Sequence, residues 1–306
     1  MVVYLKYLRN KFQHMQLIAD SGSTKTNWAV IVKGSEKEIL NTEGYNPYFF
    51  TTQQIVDSLK ANLLPQLQAL KLTANNITEI NFYGAGCSNA SKKKIISDAL
   101  IQVFPTVKIF VGHDLLGAAR ALLQHNKGFA AILGTGTNTG IYNGNDDLFN
   151  IDSLGHFFGD EGSGCYTGKK LLRDRMRGYL PKDLDKKFSA FSPLGKEEIL
   201  DRTYNSPLPN RFVAGFFRFI GENKEHEYCK NLVRESFDEF FKKLVTHYEN
   251  YKQYEFNCIG SVAFIFKDIL KETCSSYGMK PGLIIQEPID GMVKYHISQM
   301  DNTLNQ

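Results

Sequence analysis

Apolar and polar positions follow two rhythms along this chain. Short apolar runs bounded by glycine or polar turns, at 16–20, 28–33, 79–84 and 107–111, read as strands. Between them, about 52–70 and 91–103 repeat apolar residues at three- and four-residue steps, which predicts helices and a βββαβα-like first half. Thr51 and Gln54 stand at capping-box spacing ahead of Ile55, Leu59 and Leu63, and Pro65 is expected to kink that helix. After about residue 160 the helical rhythm dominates, at 164–177, 208–222 and 226–254, followed by a strand at 256–260 and a helix from 263. Segment 181–207, holding Pro181, Pro193 and Pro207, predicts a helix-poor connection or small insertion. The aromatic stretches 212–219 and 237–244 are expected to pack between helices rather than to form an oligomer interface.

Two stretches of the pattern repeat each other. Residues 17–32 read LIADSGSTKTNWAVIV and residues 129–144 read FAAILGTGTNTGIYNG. Each predicts a β-hairpin whose turn is rich in glycine and hydroxyl groups. Two such turns would together grip one polyphosphate, because glycine admits close approach of phosphate oxygens while Ser21, Ser23, Thr24, Thr135 and Thr137 offer donors. Superposing Gly22 on Gly136 sets Asp20 against Gly134. A carboxylate in one copy alone points to a magnesium ion on that side, since Mg²⁺ bridges a carboxylate and substrate phosphates. Ordinary polar turns explain either copy singly, but less well the pair. Neither copy is a familiar phosphate loop: 22–26 lacks the glycine before lysine of GxxxxGK[ST], and 134–140 misses GxGxxG spacing by one residue.

Composition narrows the class. A chain of 306 residues with 42% hydrophobic and 22% charged content is globular and has room for two domains. Its 36 basic and 32 acidic residues nearly balance, at net +4, and demand neither nucleic acid nor a membrane surface. Cys87, Cys165, Cys229, Cys258 and Cys274 are scattered without a CxxC pair, which suits a reducing cytosol and argues against a zinc or iron–sulfur site. The histidines form no HExxH, and no apolar run approaches the roughly 18 residues of a membrane span. The expected location is cytoplasmic, with a homodimer left open. Residues 1–14 are basic but broken by Lys6, Arg9 and Lys11 before a signal-like apolar core, so they are expected to precede the folded domain, with an alternative start at Met15.

In order along the chain, Asp20-x-Gly22-x-Thr24-x-Thr26, Gly134-Thr135-Gly136-Thr137 and Gly260-Ser261-Val262-Ala263 resemble the phosphate-1, phosphate-2 and adenosine motifs of the actin-like ATPase superfamily. Within it the chain is similar to the branch holding N-acetylglucosamine kinases and the activator ATPases of benzoyl-CoA reductase, over about residues 15–296. The resemblance implies an α/β, two-domain actin-like (ribonuclease H-like) ATPase fold, each domain a mixed five-stranded sheet flanked by helices. The domains would be 15–122 with a C-terminal helix at about 292–306, and 123–291. It implies ATP and Mg²⁺ as cofactors, with phosphates on Gly22, Ser23, Thr24, Thr26, Gly134, Thr135 and Gly136, adenosine on Gly260, Ser261 and Ala263, and the metal at Asp20.

Residues 155–164, GHFFGDEGSG, are similar to the N-acetylglucosamine kinase signature, in which this loop leads into a helix and lines the sugar pocket. Asp160 and Glu161 suit vicinal sugar hydroxyls, because carboxylates accept paired hydrogen bonds; capping the following helix is the alternative. Gly155 and His156 fall in the same loop. Asn46, in the turn 44–47, and Asn138 are further sugar candidates, an amide being able both to donate to and accept from hydroxyls. Asp114, between a strand end and a small-residue helix, matches the family's catalytic aspartate, which by resemblance takes the proton of the attacking hydroxyl; simple helix capping is again the alternative. His113 is expected to be structural. The implied activity is phosphorylation of the 6-hydroxyl of N-acetylglucosamine, N-acetylmuramate or glucosamine. An activator ATPase acting on a protein partner is the alternative, disfavoured by the lack of paired cysteines. A sugar-responsive regulator is disfavoured by the lack of a nucleic-acid recognition segment.

Overall fold

In the computed structural model the described residues are 15–32 and 37–304, so the expectation for residues 1–14 lies outside them. The chain divides into two compact units. One comprises the described residues up to Gln124 and those from Pro288 onward, the other His125–Glu287.

The first unit is built on β1 (Met15–Ser21), β2 (Lys25–Val32), β3 (Glu38–Glu43), β4 (Ile77–Gly84) and β5 (Lys108–His113), in spatial order β3-β2-β1-β4-β5. β1, β2 and β3 pair antiparallel, while β4 and β5 run parallel to β1. The sheet is a mixed one because a tight turn returns the chain at once between β1 and β2, whereas helical crossovers carry it between the parallel strands. One crossover is α1 (Thr52–Ser58), a π-helical turn Leu59–Leu63 and α2 (Leu64–Ala69). Its start is the Thr51–Gln54 capping box. The widened turn falls just ahead of Pro65, which cannot donate to the helical ladder, so the irregularity expected from that proline takes the form of a π turn. Then come α3 (Ala90–Val103) and α4 (Asp114–Leu123). The final helix, α14 (Ile289–Leu304), packs on α4: a Cβ on Gly291 would lie 2.4 Å from the Ala121 carbonyl. Beneath this contact the buried Arg120 guanidinium lies over the rings of Phe110 and Tyr295 and donates to Tyr83 Oη, which also bonds His296 Nε2 at 2.9 Å.

The second unit repeats the sheet plan. β6 (Gly128–Leu133), β7 (Thr137–Tyr142), β8 (Leu148–Asn150), β9 (Glu255–Ile259) and β10 (Lys280–Ile285) stand in the order β10-β9-β6-β7-β8, again with an antiparallel meander and two strands parallel to the first. Between β8 and β9 lie α5 (Gly155–Phe158), α6 (Gly164–Met176), α7 (Lys182–Phe191), α8 (Lys196–Asn205), α9 (Pro209–Gly215), α10 (Phe217–Glu222) and α11 (Glu227–Lys243); α12 (Ser261–Ile265) and α13 (Lys267–Ser276) separate β9 from β10.

Several sequence expectations are corrected here. Segment 181–207 is mostly helical, because its prolines precede helices instead of interrupting them: Pro181 is the N-cap of α7, and Asp183 and Asp185 complement its first turn. The 208–222 pattern is two helices, and 226–254 ends its α-helix at Lys243 before two short 3₁₀ turns. The aromatic stretches are core, with Phe216, Phe217, Phe219, Phe237, Phe240 and Phe241 all buried and Phe188 stacked on Phe216. Among the described residues no helix is long and apolar enough to cross a membrane.

Candidate active site

In the first unit the parallel strands bring their carboxyl ends to one edge. Ser21 pairs with Gly84 and Gly84 with His113, so Asp20 and Asp114 emerge two strands apart on that edge, roughly 10 Å at ordinary strand spacing. The carboxyl ends of parallel strands are where open α/β sheets receive ligands. The phosphate-1 turn is braced from behind. Ser21 Oγ and Thr26 Oγ1 bond each other at 2.8 Å, Thr26 Oγ1 donates to the Glu43 carbonyl at 2.8 Å, and the Tyr45 amide donates to Ser21 Oγ at 3.1 Å. Thr26 is buried, and its hydroxyl serves the turn's support; Ser23 and Thr24 occupy the outer part of the turn. Gly44 lies against the turn so closely that a Cβ there would stand 2.2 Å from the Gly22 carbonyl. Only glycine permits that approach. Asn46 Oδ1 accepts from the Tyr48 amide at 3.0 Å, an Asx turn that fixes the side chain's direction.

Asp114 is the first residue of α4, and its Oδ1 accepts from the Leu115 amide at 2.8 Å. The capping role that sequence alone left open for Asp114 belongs to His113, whose Nδ1 accepts from the Leu116 amide at 3.1 Å. Burial holds this imidazole below its usual pKa, in keeping with an accepting, unprotonated nitrogen.

The second unit sets its candidates at the equivalent edge. The last ladder pairs are Ser21 with Thr26 in one hairpin and Leu133 with Thr137 in the other, and the burial patterns of β1 and β6 match when Ser21 is set on Leu133. This corrects the superposition made on glycine spacing: Gly22 corresponds to Gly134, and Asp20 to Ile132. The conclusion that only the first turn carries a carboxylate at this place is unchanged. Beside the second turn, Gly260 has φ +120°, and a Cβ on it would lie 2.2 Å from the Leu133 carbonyl; Ser261 is exposed and Ala263 buried at the start of α12.

The loop 155–164 folds back onto the phosphate-2 turn. Asp160, 6% exposed and with φ +59°, accepts from the Thr137 amide at 3.0 Å through Oδ1. Burial pushes its carboxyl up to about 6, against the lowering effects of the Thr137 amide, a hydrogen bond from Ser153 and the charge of Lys169. Helix α6 is capped by Ser163, whose Oγ accepts from the Tyr166 amide at 3.0 Å, so the capping alternative for Asp160 is set aside. Glu161 contributes its carbonyl to Thr137 Oγ1 at 2.6 Å. His156 lies on α5, its carbonyl held by Lys169 Nζ at 2.6 Å, and its imidazole is lowered by burial and by Lys169. Asn138 Oδ1 accepts from Asn150 Nδ2 at 2.8 Å, which orients its amide. Sequence reasoning missed Lys169, Ser153 and Asn150, whose partners lie 13 residues away, seven residues away in a non-repeating loop, and across a strand pair. It also missed the supporting role of Thr137, although it had named that hydroxyl as a donor.

The chain is 36% identical to a candidate N-acetylglucosamine kinase from Porphyromonas gingivalis, covering 92% of this chain and 98% of the other at a TM-score of 0.86. The chain belongs to the N-acetylglucosamine kinase family. A second candidate N-acetylglucosamine kinase, from Chromobacterium violaceum, shares 13% identity over 93% of this chain and 99% of its own with a TM-score of 0.71, which shows the common fold. Spiroplasma citri MreB 5 bound to AMPPNP shares that fold more distantly, at a TM-score of 0.57 and 11% identity over 96% and 98% of the two chains. No family model and no curated protein matches the chain. The family and the doubled sheet plan make this an actin-like ATPase fold.

Proposed function

We propose that this sugar kinase transfers the γ-phosphoryl group of ATP to the 6-hydroxyl of N-acetylglucosamine, or of a close relative such as N-acetylmuramate or glucosamine. The observation that carries this reading is the 36% identity with the P. gingivalis protein along 92% of the chain. Phosphoryl transfer asks the protein mainly for positioning and charge stabilisation. On this reading the backbone of the 22–24 and 134–136 turns holds the phosphates, with Ser23, Thr24 and Thr135 as side-chain donors and Thr26 as support. Gly260, Ser261 and Ala263 take the adenosine. Asn46, Asn138, Gly155, His156, Asp160 and Glu161 take the sugar. Asp114 accepts the proton of the attacking hydroxyl, its second oxygen kept on course by the bond of Oδ1 to the Leu115 amide.

Mg²⁺ keeps most of its waters and commonly takes one or two carboxylates besides substrate phosphates, a demand that a single half-buried Asp20 beside a turn fits. Among the described residues no cluster of three or more His, Cys, Asp or Glu side chains competes with it. When bound, the ion would neutralise phosphate charge.

The test is a coupled ADP-release assay with Mg²⁺–ATP over N-acetylglucosamine, N-acetylmuramate, glucosamine, glucose and no sugar. Release should require an amino sugar. Hydrolysis as fast without sugar as with it would favour the activator ATPase.

A further inference from the structure

The phosphate-2 turn has its polar groups committed in an unusual direction. A short hairpin turn ordinarily leaves them to solvent; here each of its residues is engaged by the second half of the sugar motif or by Cys165 directly after it. The Gly134 carbonyl accepts from the Gly164 amide at 2.8 Å, and the Thr135 carbonyl from the Cys165 amide at 3.1 Å. A Cβ on Gly136 would lie 3.0 Å from Asp160 Oδ2. Thr137 is held at both ends, its amide on Asp160 Oδ1 and its hydroxyl on the Glu161 carbonyl. Asp160 is itself fixed by its neighbours, its amide donating to the Ser153 carbonyl and its carbonyl accepting from the Ser163 amide. It sits in the left-handed region, as does Leu154 at φ +58°. Such conformations persist in side-chain-bearing residues when surrounding bonds over-determine them, and they gather at functional sites.

We infer that Thr137 is a positioning residue that, through its bonds to the Asp160 carboxylate and the Glu161 carbonyl, joins the sugar loop to the phosphate-2 turn within the second unit, so that occupancy of the loop by an amino sugar sets how firmly the turn holds nucleotide phosphate. The inference rests on the kinase reading. A ligand at 155–161 that moves Asp160 and Glu161 also pulls on the amide and hydroxyl of Thr137. The other limb of the loop is anchored separately, by Lys169 on the His156 carbonyl. Allosteric coupling between two ligands is reciprocal and usually amounts to about 5- to 150-fold in affinity.

Thr137→Val keeps the shape and the amide but removes the hydroxyl bond, while Thr137→Ser keeps both bonds. Calorimetric titration of Mg²⁺–AMPPNP with and without saturating N-acetylglucosamine gives the coupling factor. The expected result is a factor within the range above for the wild type and the Ser variant, falling toward one in the Val variant. Amide hydrogen exchange of the wild-type protein adds a second readout: N-acetylglucosamine alone, without nucleotide, should slow exchange at 134–137. An undiminished coupling factor in the Val variant, a wild-type factor near one, or no protection of the turn by sugar would each overturn the inference while leaving the kinase reading standing. A wild-type protein that neither binds nor phosphorylates any amino sugar would overturn the kinase reading, and this inference with it.

Discussion

The two units share one sheet plan and differ in what stands behind their turns. In the first, the turn is braced by its own neighbourhood: Ser21, Thr26, the Glu43 carbonyl and Gly44. In the second, the equivalent turn is braced by a loop from beyond β8, through Asp160, Glu161, Gly164 and Cys165. A carboxylate stands at the strand end only in the first, Asp20 against Ile132. One backbone design thus yields a self-contained turn carrying charge and a dependent turn lacking it. Asp114 follows β5, whose counterpart in the second sheet is β10, and there Gln286 stands directly after the strand instead.

That contrast can be broken first at Asp114. Asp114→Asn retains an oxygen for the Leu115 amide and leaves the His113 cap in place, so the melting temperature should hold while kcat falls roughly 10²-fold or more. Near-normal kcat would remove Asp114 from proton transfer.

Next in size is a comparison of glycines. Gly44→Ala drives a Cβ into the Gly22 carbonyl and should cost about 1–3 kcal/mol on unfolding by denaturant, with loss of nucleotide binding. Gly136→Ala meets a side-chain carboxylate instead of backbone and should cost less. Equal costs would mean that the two turns are equally rigid.

The units should also answer acid in opposite senses. Asp160 rises to about 6 from 3.8, mainly through burial, so the folded protein binds this proton more tightly than the unfolded chain does. Its contribution is fully present below pH 3.8 and is lost as pH rises toward 6. His296 is lowered to about 3 from 6.5 by burial and by Arg120, so its contribution is present above pH 6.5 and is lost as pH falls toward 3. Melting temperature against pH should therefore lose a decline between about 4 and 6 in Asp160→Asn, and lose an acid-side decline in His296→Gln. Profiles parallel to the wild type would show that neither group is the source.

The smallest effect is expected at the α6 cap: Ser163→Ala removes the bond to the Tyr166 amide and should lower stability by roughly 1 kcal/mol. A larger loss accompanied by weaker nucleotide binding would extend the dependence of the second turn to this serine.

What the sequence disclosed follows the range of the interactions involved. The hairpins β1–β2 and β6–β7 were legible because their apolar runs and turn residues are contiguous. The third strand implied by the βββαβα-like pattern had no range of its own, because the burial of β3 is mixed and only Leu40 and Thr42 of its six residues are buried. β8 has three residues and β10 is at most half-buried, so neither produces a strong apolar run. The helices α7 and α8 were hidden by prolines read as breakers, since only Leu184, Phe188 and Ile199 mark their buried sides. At the site, Asp114 stood out by its place between a strand and a helix. The bonds of Asp160 to Thr137 and of Lys169 to His156 join residues 23 and 13 positions apart, a separation at which local pattern carries no signal. Register, too, was beyond reach: glycine spacing suggested one superposition of the hairpins, and ladder pairing and burial gave another.

The packing of α14 on α4 also bears on the order in which the protein is made. Domains generally fold as units while synthesis proceeds, and His125–Glu287 is contiguous, so the second unit has its whole sequence before α14 has been translated. The first unit, begun earlier, must wait: until residues from Pro288 onward emerge, Tyr83 lacks His296 and the Ala121 face of α4 lacks Gly291. A nascent or prematurely terminated chain would therefore carry a finished second unit beside an uncovered α4, the helix that begins at Asp114.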